Sequence, residues 1–183
     1  FRNKIAFHWN NLFCPETWEV GIVDQGIGQI LEKGITGNIE WIRAKENNSY
    51  LADPMRMVVD GKEIIAAEYF CGEEQRSRIV DARTQETIYH PSTHVSFPLY
   101  FNFEGVDYML PEQSATGKCE LIAIGNSNKR ILLVDEPLID PILILHNYTW
   151  WLFAHHLNNQ NNSALFIYHS KSVRNGFQPH PLN

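Results

Sequence analysis

The stretch LIDPILILHNYTWWLFA, residues 138–154, contains an Asp-Pro pair, an apolar run, a short turn and a second apolar run with two tryptophans. Apolar runs rich in Ile, Trp and Phe on both sides of a short polar turn are typical of a β-hairpin. A similar arrangement occurs in ADPMRMVVDGKEIIAAE at 52–68, where Asp-Gly supplies a strong turn signal. The two segments therefore predict hairpins that are copies of one repeated unit.

The repeat is anchored by three prolines, Pro54, Pro98 and Pro141, which lie 44 and 43 residues apart. Each proline opens an apolar strand that ends in a turn and is followed by a second strand and, after a polar loop, by a third. A fourth strand can be drawn before the next proline step, at ETIYH and at RILLVD. Unrelated hairpins with a shared spacing are the alternative, but turn, strand and polar register all recur. A four-stranded unit with a period of about 43 residues predicts an all-β fold of the β-propeller type.

Two further strands are predicted before the repeat, at ETWEVGIVDQ and NIEWIRAK, with Gly-rich turns at 26–28 and 34–37 and no helix. A new X-Pro step, His180-Pro181, follows Pro141 by 40 residues and predicts the opening of another unit. We therefore interpret residues 1–183 as a single, incomplete propeller domain from a longer chain. It would hold N-terminal strands, three full blades and the entrance to a fourth.

Composition excludes several classes of partner. The formal net charge of -6 argues against general binding to nucleic acid or to anionic membranes. No apolar run approaches the roughly 20 residues that span a bilayer, and the first residues lack the features of a signal peptide. The three widely spaced cysteines, Cys14, Cys71 and Cys119, indicate reduced structural thiols, which favours the cytoplasm over secretion.

The motifs HVSFP, DYMLPE, LIDP, WWLFA, LFIYHSKS and PHPLN, taken together, resemble the N-terminal propeller domain of the glucosamine inositolphosphorylceramide transferase family. The resemblance runs from about Trp18 to the end of the chain. The Asp-Pro steps also resemble those of five-bladed propeller glycosidases of families 43 and 32. These resemblances imply a five-bladed propeller that works on carbohydrate, and they imply it more firmly than they imply a reaction.

Hydrolysis of a glycosidic bond requires one ionised carboxylate and one carboxyl group that keeps its proton. By resemblance to family 43, Asp53 matches the base and Asp140 matches the aspartate that tunes the acid. We expect proline to hold each of these aspartates in an extended conformation, aimed at a central axis. The glutamate that family 43 uses as the acid is replaced here by His180, so Glu112 and His180 remain the candidates for that role.

Other residues are expected to line the same central cavity and to bind substrate. Each has a plainer interpretation: acids before proline cap turns, Glu68 and Glu112 resemble solvated loop acids, and histidines pack between sheets. Adjacent residues of a strand point to opposite faces, so one of the two tryptophans is expected between blades. No metal site or cofactor is predicted, and an axial calcium ion, as in some similar propellers, has no recognisable motif here. The candidate substrate-binding residues are Glu68, His94, Ser96, Trp151, His155 and His180.

Three functions remain open from the sequence. The first is a glycosidase-like domain with Asp53 as base, and the second is a non-catalytic glycan-recognition or accessory domain of a glycosyltransferase or other sugar-modifying enzyme. The third is a protein-interaction propeller without a sugar site. The missing glutamate favours the second function over the first, and axis-facing acids and histidines disfavour the third. In either carbohydrate function, the expected partner is a glycan, and further domains are expected in the same chain.

Overall fold

The computed structural model describes residues 17–158 and 164–183, which form four antiparallel sheets. Sheet 1 holds β1 (Val20–Val23) and β2 (Ile39–Ile42), and sheet 2 holds β3 (Tyr50–Val59), β4 (Lys62–Cys71), β5 (Arg76–Asp81) and β6 (Thr87–Tyr89). Sheet 3 holds β7 (Ser96–Phe103), β8 (Val106–Glu112), β9 (Cys119–Ala123) and β10 (Asn126–Val134). Sheet 4 holds β11 (Leu138–His146), β12 (Thr149–His156), β13 (Phe166–Ser170) and β14 (Gln178–Pro179).

The repeat is confirmed as a structural unit, because sheets 2, 3 and 4 are each formed from four strands that are consecutive in sequence. In each of these three sheets, the first two strands are joined by a two-residue turn in which both residues have positive φ. Such turns match the right-handed twist of the strands they connect. They are Asp60-Gly61, Glu104-Gly105 and Asn147-Tyr148, with φ of 50° and 73°, 49° and 73°, and 49° and 57°.

The proline steps form an irregularity that recurs in all three first strands. The register of β3, β7 and β11 shifts at the X-Pro pair. Asp53, Phe97 and Asp140, the residues before proline, have φ of 49°, 45° and 49°. The expected extended conformation of Asp53 and Asp140 is therefore wrong. A bulge turns the backbone at these positions, and a left-handed residue before proline is a strained conformation that the surrounding ladder must hold in place.

The sheets are stacked face to face in chain order, with one apolar layer between each pair. Leu51, Tyr69 and Val80 of sheet 2 pack with Val20 of sheet 1. The opposite face of sheet 2 packs against sheet 3, and sheet 3 packs against sheet 4. The second layer contains Met57, Ala66, Ile79, Tyr89, Val95, Met109 and Ile122, and the third contains Tyr108, Leu110, Leu121, Leu143, Leu152, Ala154 and Tyr168. Each strand supplies alternate residues to the two layers that flank its sheet.

One expectation about the first part of the chain is corrected. A seven-residue helix, α1 (Ile27–Lys33), joins β1 to β2 and ends at Gly34, although no helix was expected. Its apolar residues Ile27, Ile30 and Leu31 do follow helical spacing, but the stretch spans only two turns and is interrupted by Gly28, so the glycines at 26 and 28 indicated a turn instead. At the other end, β14 completes sheet 4, and the backbone N–H of His180 donates to the carbonyl of Ile167 in β13. His180 therefore lies at the edge of sheet 4, beside β13.

The thiols of Cys71 and Cys119 are free and buried, as expected, while Cys14 lies outside the described residues. The described part contains one α-helix, α1, and one 3₁₀ turn at Ser114–Thr116, and neither is long enough to cross a bilayer.

Candidate functional site

Equivalent register positions of sheets 2, 3 and 4 carry most of the polar residues singled out in the sequence. Glu68, Glu112 and His155 pair with the residue two before proline in the first strand of their own sheet. The bulge residues Asp53 and Asp140 follow directly after that pair. Since the first strands of neighbouring sheets lie side by side, the repeat brings these positions to one end of the stack.

Electrostatic influence shows which of these side chains lie close to one another. The charge of Asp53 raises the pKa of both Glu68 and Asp140, and the charge of Asp140 raises the pKa of Glu112. His94 lowers the pKa of both Glu68 and Glu112, because a positive charge favours the ionised acids. The group therefore draws on three sheets, and we call it the hub: Asp53, Glu68, His94, Glu112, Asp140 and His155.

Glu68 is the buried member of the hub, with a relative exposure of 5%. Its Oε1 accepts a hydrogen bond of 2.5 Å from Oγ of Ser77 in β5, and Nε2 of His94 lies 4.0 Å from the same oxygen. Burial is the largest influence and raises the pKa of Glu68, so this carboxyl group holds its proton to a higher pH than an exposed glutamate. It is not a solvated loop acid, because β4 continues through it to Cys71.

Glu112 is held by two hydroxyl groups at the end of β8. Oγ of Ser114 donates to Oε1 at 2.9 Å, and Oγ of Ser96 donates to Oε2 at 3.3 Å. Burial raises the pKa of Glu112 and outweighs these hydrogen bonds, which lower it. Ser96 is therefore an oriented neighbour of Glu112, and both residues lie where the sequence placed them, at the opening of the second repeat.

Unlike the two glutamates, Asp53 and Asp140 have no side-chain partner among the described residues. Asp53 is half-buried and Asp140 is exposed, and within the described residues neither carboxylate takes part in a side-chain hydrogen bond or an ion pair. Partial desolvation raises the pKa of Asp140, Asp53 raises it further, and His155 lowers it. His155 is itself oriented by a contact of 3.2 Å between its Nδ1 and the carbonyl of Ala164. Both aspartates are thus available to a ligand and are not occupied as turn caps.

A cavity of about 400 Å³ opens beside Asp53 and Glu68. Its wall is partly aromatic, and both carboxyl groups belong to its lining. Trp18 is more than half exposed, and burial raises the pKa of the Tyr50 hydroxyl. The lining residues are Trp18, Glu19, Tyr50, Leu51, Ala52, Asp53, Pro54 and Glu68.

Trp151 and His180 lie in a different place. Trp150 makes edge-to-face contacts with Phe101 and Phe103 between sheets 3 and 4, whereas Trp151 faces away from sheet 3. The ring centroids of Trp151 and His180 are 6.2 Å apart. Together they line a groove of about 270 Å³, which we call the outer groove: Ile144, His146, Trp151, Phe153, Ile167 and His180. The structure thus unites seven of the predicted residues around the hub and places two in the outer groove.

Sequence reasoning missed Ser77, Ser114 and Tyr50. Ser77 lies one diagonal step from Glu68 across the β4–β5 ladder, because Glu68 pairs with Ile79 and side chains alternate along a strand. The pairing of β4 with β5 could be predicted from the sequence, so the alternation of side chains along β5 could have identified Ser77 as a neighbour of Glu68. Within the described residues, no group of three or more His, Cys, Asp or Glu side chains is arranged to hold a metal ion.

The arrangement provides several hydrogen-bond acceptors that converge from three sheets, two of them on free carboxylates. Such a set suits a ligand with many hydroxyl or amino hydrogens. It also contains acids of two kinds: aspartates without a side-chain partner, and glutamates that accept hydrogen bonds from serine hydroxyl groups.

Comparison with known families places this arrangement in context. The family model described as "Glucosamine inositolphosphorylceramide transferase 1, N-terminal" matches residues 83–183, which is more than half of the chain. The chain belongs to this family. The matched residues include sheets 3 and 4 and the hub residues His94, Glu112 and Asp140, whereas Asp53 and Glu68 precede them.

Curated relatives agree with the family. Glucosamine inositolphosphorylceramide transferase 1 of Arabidopsis thaliana is 29% identical over 97 residues, and the proteins of that name from Oryza sativa subsp. japonica and subsp. indica are each 30% identical over 97 residues. Each alignment covers 49% of this chain and 13% of the relative, so the chain spans only a small part of the relatives' length. No solved structure matches the chain.

Proposed function

We propose that this chain is a non-catalytic glycan-recognition domain that serves a glycosyltransferase of glycoconjugate metabolism. The observation that carries the proposal is the hub, where free and buried carboxyl groups from three sheets converge in a chain of this family. The relatives are named glucosamine inositolphosphorylceramide transferase 1, and the matching family model is described as the N-terminal part. The domain would act beside further domains of the same chain.

We further propose that sheets 2, 3 and 4 are three blades of a five-bladed propeller that is incomplete in this chain. Three features support this: consecutive four-stranded sheets, face-to-face stacking, and first strands that neighbour one another at the hub. In such a fold, the proline bulges would face the axis, which accounts for the repeated left-handed residue at Asp53, Phe97 and Asp140.

The ligand chemistry follows from the charges. Carboxylates accept hydrogen bonds from sugar hydroxyls, and they attract an ammonium group more strongly than a neutral substituent. A cavity of about 400 Å³ is within the usual range of small-molecule sites, and the exposed ring of Trp18 offers an apolar face for a sugar ring. We propose that a hexosamine unit is the group recognised, with its amine near Asp53 and Asp140.

Glycoside hydrolysis is the second candidate function, and one observation favours it. Glu112 keeps its proton to a higher pH than usual, while Asp53 is free, which is the division of roles that hydrolysis requires. The position of His180 argues against it, because the residue that replaces the family 43 acid lies in the outer groove. Recognition therefore remains the primary proposal.

The test is a glycan array, followed by calorimetric titration with glucosamine and with the glycans that bind. Asp53→Asn is expected to weaken binding of an amino sugar about tenfold, which corresponds to the loss of about one charge-assisted hydrogen bond. Asp60→Asn is the matched control, since Asp60 also lies in left-handed backbone, with φ of 50°, at the exposed far end of β3. Its binding should equal that of the unmodified protein.

The outcomes separate the two candidates. The glycans that bind are also incubated with the protein and tested for cleavage. If the unmodified protein cleaves a glycan and Asp53→Asn binds it equally well without cleaving it, hydrolysis is established and replaces the recognition proposal. Absence of binding to any sugar on the array would refute both carbohydrate functions.

A further inference from the structure

Ser77 occupies a central position between two hub residues. It is fully buried in β5, and its Oγ lies 2.5 Å from Oε1 of Glu68 and 3.2 Å from Nδ1 of His94. Glu68 belongs to sheet 2, whereas His94 lies in the segment that leads into β7 of sheet 3. One hydroxyl group therefore links a buried acid of one sheet to a half-exposed histidine at the start of the next.

The number of hydrogens available in these contacts determines which atom donates and which atom accepts in each hydrogen bond. A serine hydroxyl has one hydrogen to donate and can also accept, whereas an ionised carboxylate only accepts. When Glu68 is ionised, the hydrogen of Ser77 is committed to Glu68, so Oγ must accept from His94. Nδ1 of His94 then carries the hydrogen, and Nε2 of the neutral ring carries the lone pair.

The second ring nitrogen faces the open side of the hub. Nε2 of His94 is 4.0 Å from Oε1 of Glu68, which is beyond hydrogen-bond distance, and 47% of the His94 side chain is exposed. Among the residues that the structure describes, no side-chain or backbone group forms a hydrogen bond to Nε2. This nitrogen is thus an oriented polar atom that solvent or a ligand must satisfy.

We propose that Ser77 is a positioning residue: it donates its hydrogen to Glu68, accepts the hydrogen of Nδ1 of His94, and thereby fixes the tautomer of the His94 ring. Nε2 of His94 is then a hydrogen-bond acceptor in the hub for a hydroxyl or ammonium hydrogen of the ligand. The ligand part rests on the proposed function, whereas the assignment of the ring hydrogen to Nδ1 does not. The inference adds an acceptor to the free carboxylates of Asp53 and Asp140 and explains why a serine is buried at this point of β5.

The experiment is nitrogen NMR of the histidine-labelled 183-residue chain at about pH 8, above the ordinary titration range of histidine. The signal of His94 is assigned by its disappearance in His94→Gln. The unmodified protein is expected to show His94 as the Nδ1–H tautomer. This prediction needs no variant of Ser77, so it can be tested even if the Ser77 variants fail to fold.

Three variants test the direction of the hydrogen bonds that link Glu68, Ser77 and His94, which we call the relay. Ser77→Ala should abolish the fixed tautomer, and Ser77→Thr should restore it, because threonine keeps the hydroxyl group. Glu68→Met should reverse it, since Ser77 is then free to donate its hydrogen to Nδ1. The Nε2–H tautomer in the unmodified protein, or an unchanged tautomer in folded Ser77→Ala, would overturn the inference.

The ligand part is tested with glucosamine as probe. Saturation should shift the resonance of Nε2 of His94 more than that of Nδ1, and His94→Gln should weaken binding about tenfold. His146→Gln, in the outer groove, is the control and should bind normally. If glucosamine does not bind while the tautomer is as expected, the relay stands and the proposed ligand fails. If glucosamine binds but His94→Gln binds equally well, the presentation of Nε2 to the ligand is refuted.

Discussion

Replacing the adjacent tryptophans Trp150 and Trp151 one at a time tests the stacking of the sheets. Trp150 lies between sheets 3 and 4, with ring centroids 5.2 Å from Phe101 and 6.3 Å from Phe103 at nearly perpendicular ring angles. Trp151 instead faces the outer groove and neighbours His169 and His180. The two variants change the same residue type in the same strand, so each is the control for the other.

The expected magnitudes follow from these contacts. A fully buried tryptophan costs about 3–5 kcal/mol when it is truncated to alanine, and each aromatic pair adds about 0.5–1.5 kcal/mol beyond burial. Trp150 is half-buried, so burial accounts for about half of the full value, and its two edge-to-face contacts bring the expected loss to about 3 kcal/mol. Trp151 is also half-buried, but its ring neighbours His169 and His180 lie in its own sheet and one side of the ring faces the open groove, so Trp151→Ala is expected to cost only the burial share of about 2 kcal/mol.

The assay is urea unfolding followed by far-ultraviolet circular dichroism, which does not depend on the tryptophan signal. With a slope of about 2 kcal/mol per M urea, Trp150→Ala should lower the midpoint by about 1.5 M and Trp151→Ala by about 1 M. An equal or larger loss in Trp151→Ala would refute the stacking order. It would mean that the face assigned to the outer groove is the one covered by a neighbouring sheet.

Three further predictions concern single side chains. Burial raises the pKa of Glu68 above its ordinary value of 4.5. The folded protein therefore binds more protons than the unfolded chain at pH values between 4.5 and the raised pKa, and its stability falls as the pH rises through that interval. Glu68→Gln should therefore gain stability relative to the unmodified protein between pH 4.5 and neutral pH, measured by urea unfolding at a series of pH values; an equal difference at every pH would contradict this. Burial raises the pKa of Cys119 to about 12, so only about one thiol in ten thousand is ionised at pH 8, and iodoacetamide should label the Cys119 peptide only after unfolding. Tyr148 has φ of 57° where the equivalent turns have Gly61 and Gly105, so Tyr148→Gly should stabilise the protein by about 0.5–1 kcal/mol in thermal unfolding, and a loss would show that the exposed ring makes a needed contact.

Much of the site was predictable because residues at the same position of each repeat occupy equivalent places in their sheets. Glu112 and His155 were singled out from their spacing after proline, and the ladder places them at equivalent positions beside β7 and β11. The environment of Glu68 was not predictable in the same way. Its neighbours along the chain include several acids and suggest a solvated loop, whereas the buried hydroxyl of Ser77 and the ring of His94 reach it from a later strand and from the segment before the next sheet.

The sequence by itself determined the strands, their turns and their order, because alternation, Asp-Gly turns and a period of about 43 residues are local signals. Only the tertiary structure decided the backbone at Asp53 and Asp140, the burial of Glu68, and the separation of Trp151 and His180 from the hub. The physical reason is that local steric preferences specify how a segment pairs with the next one. The dihedral angle of a bulge and the desolvation of an acid are set by neighbouring sheets, whose residues lie far away in sequence.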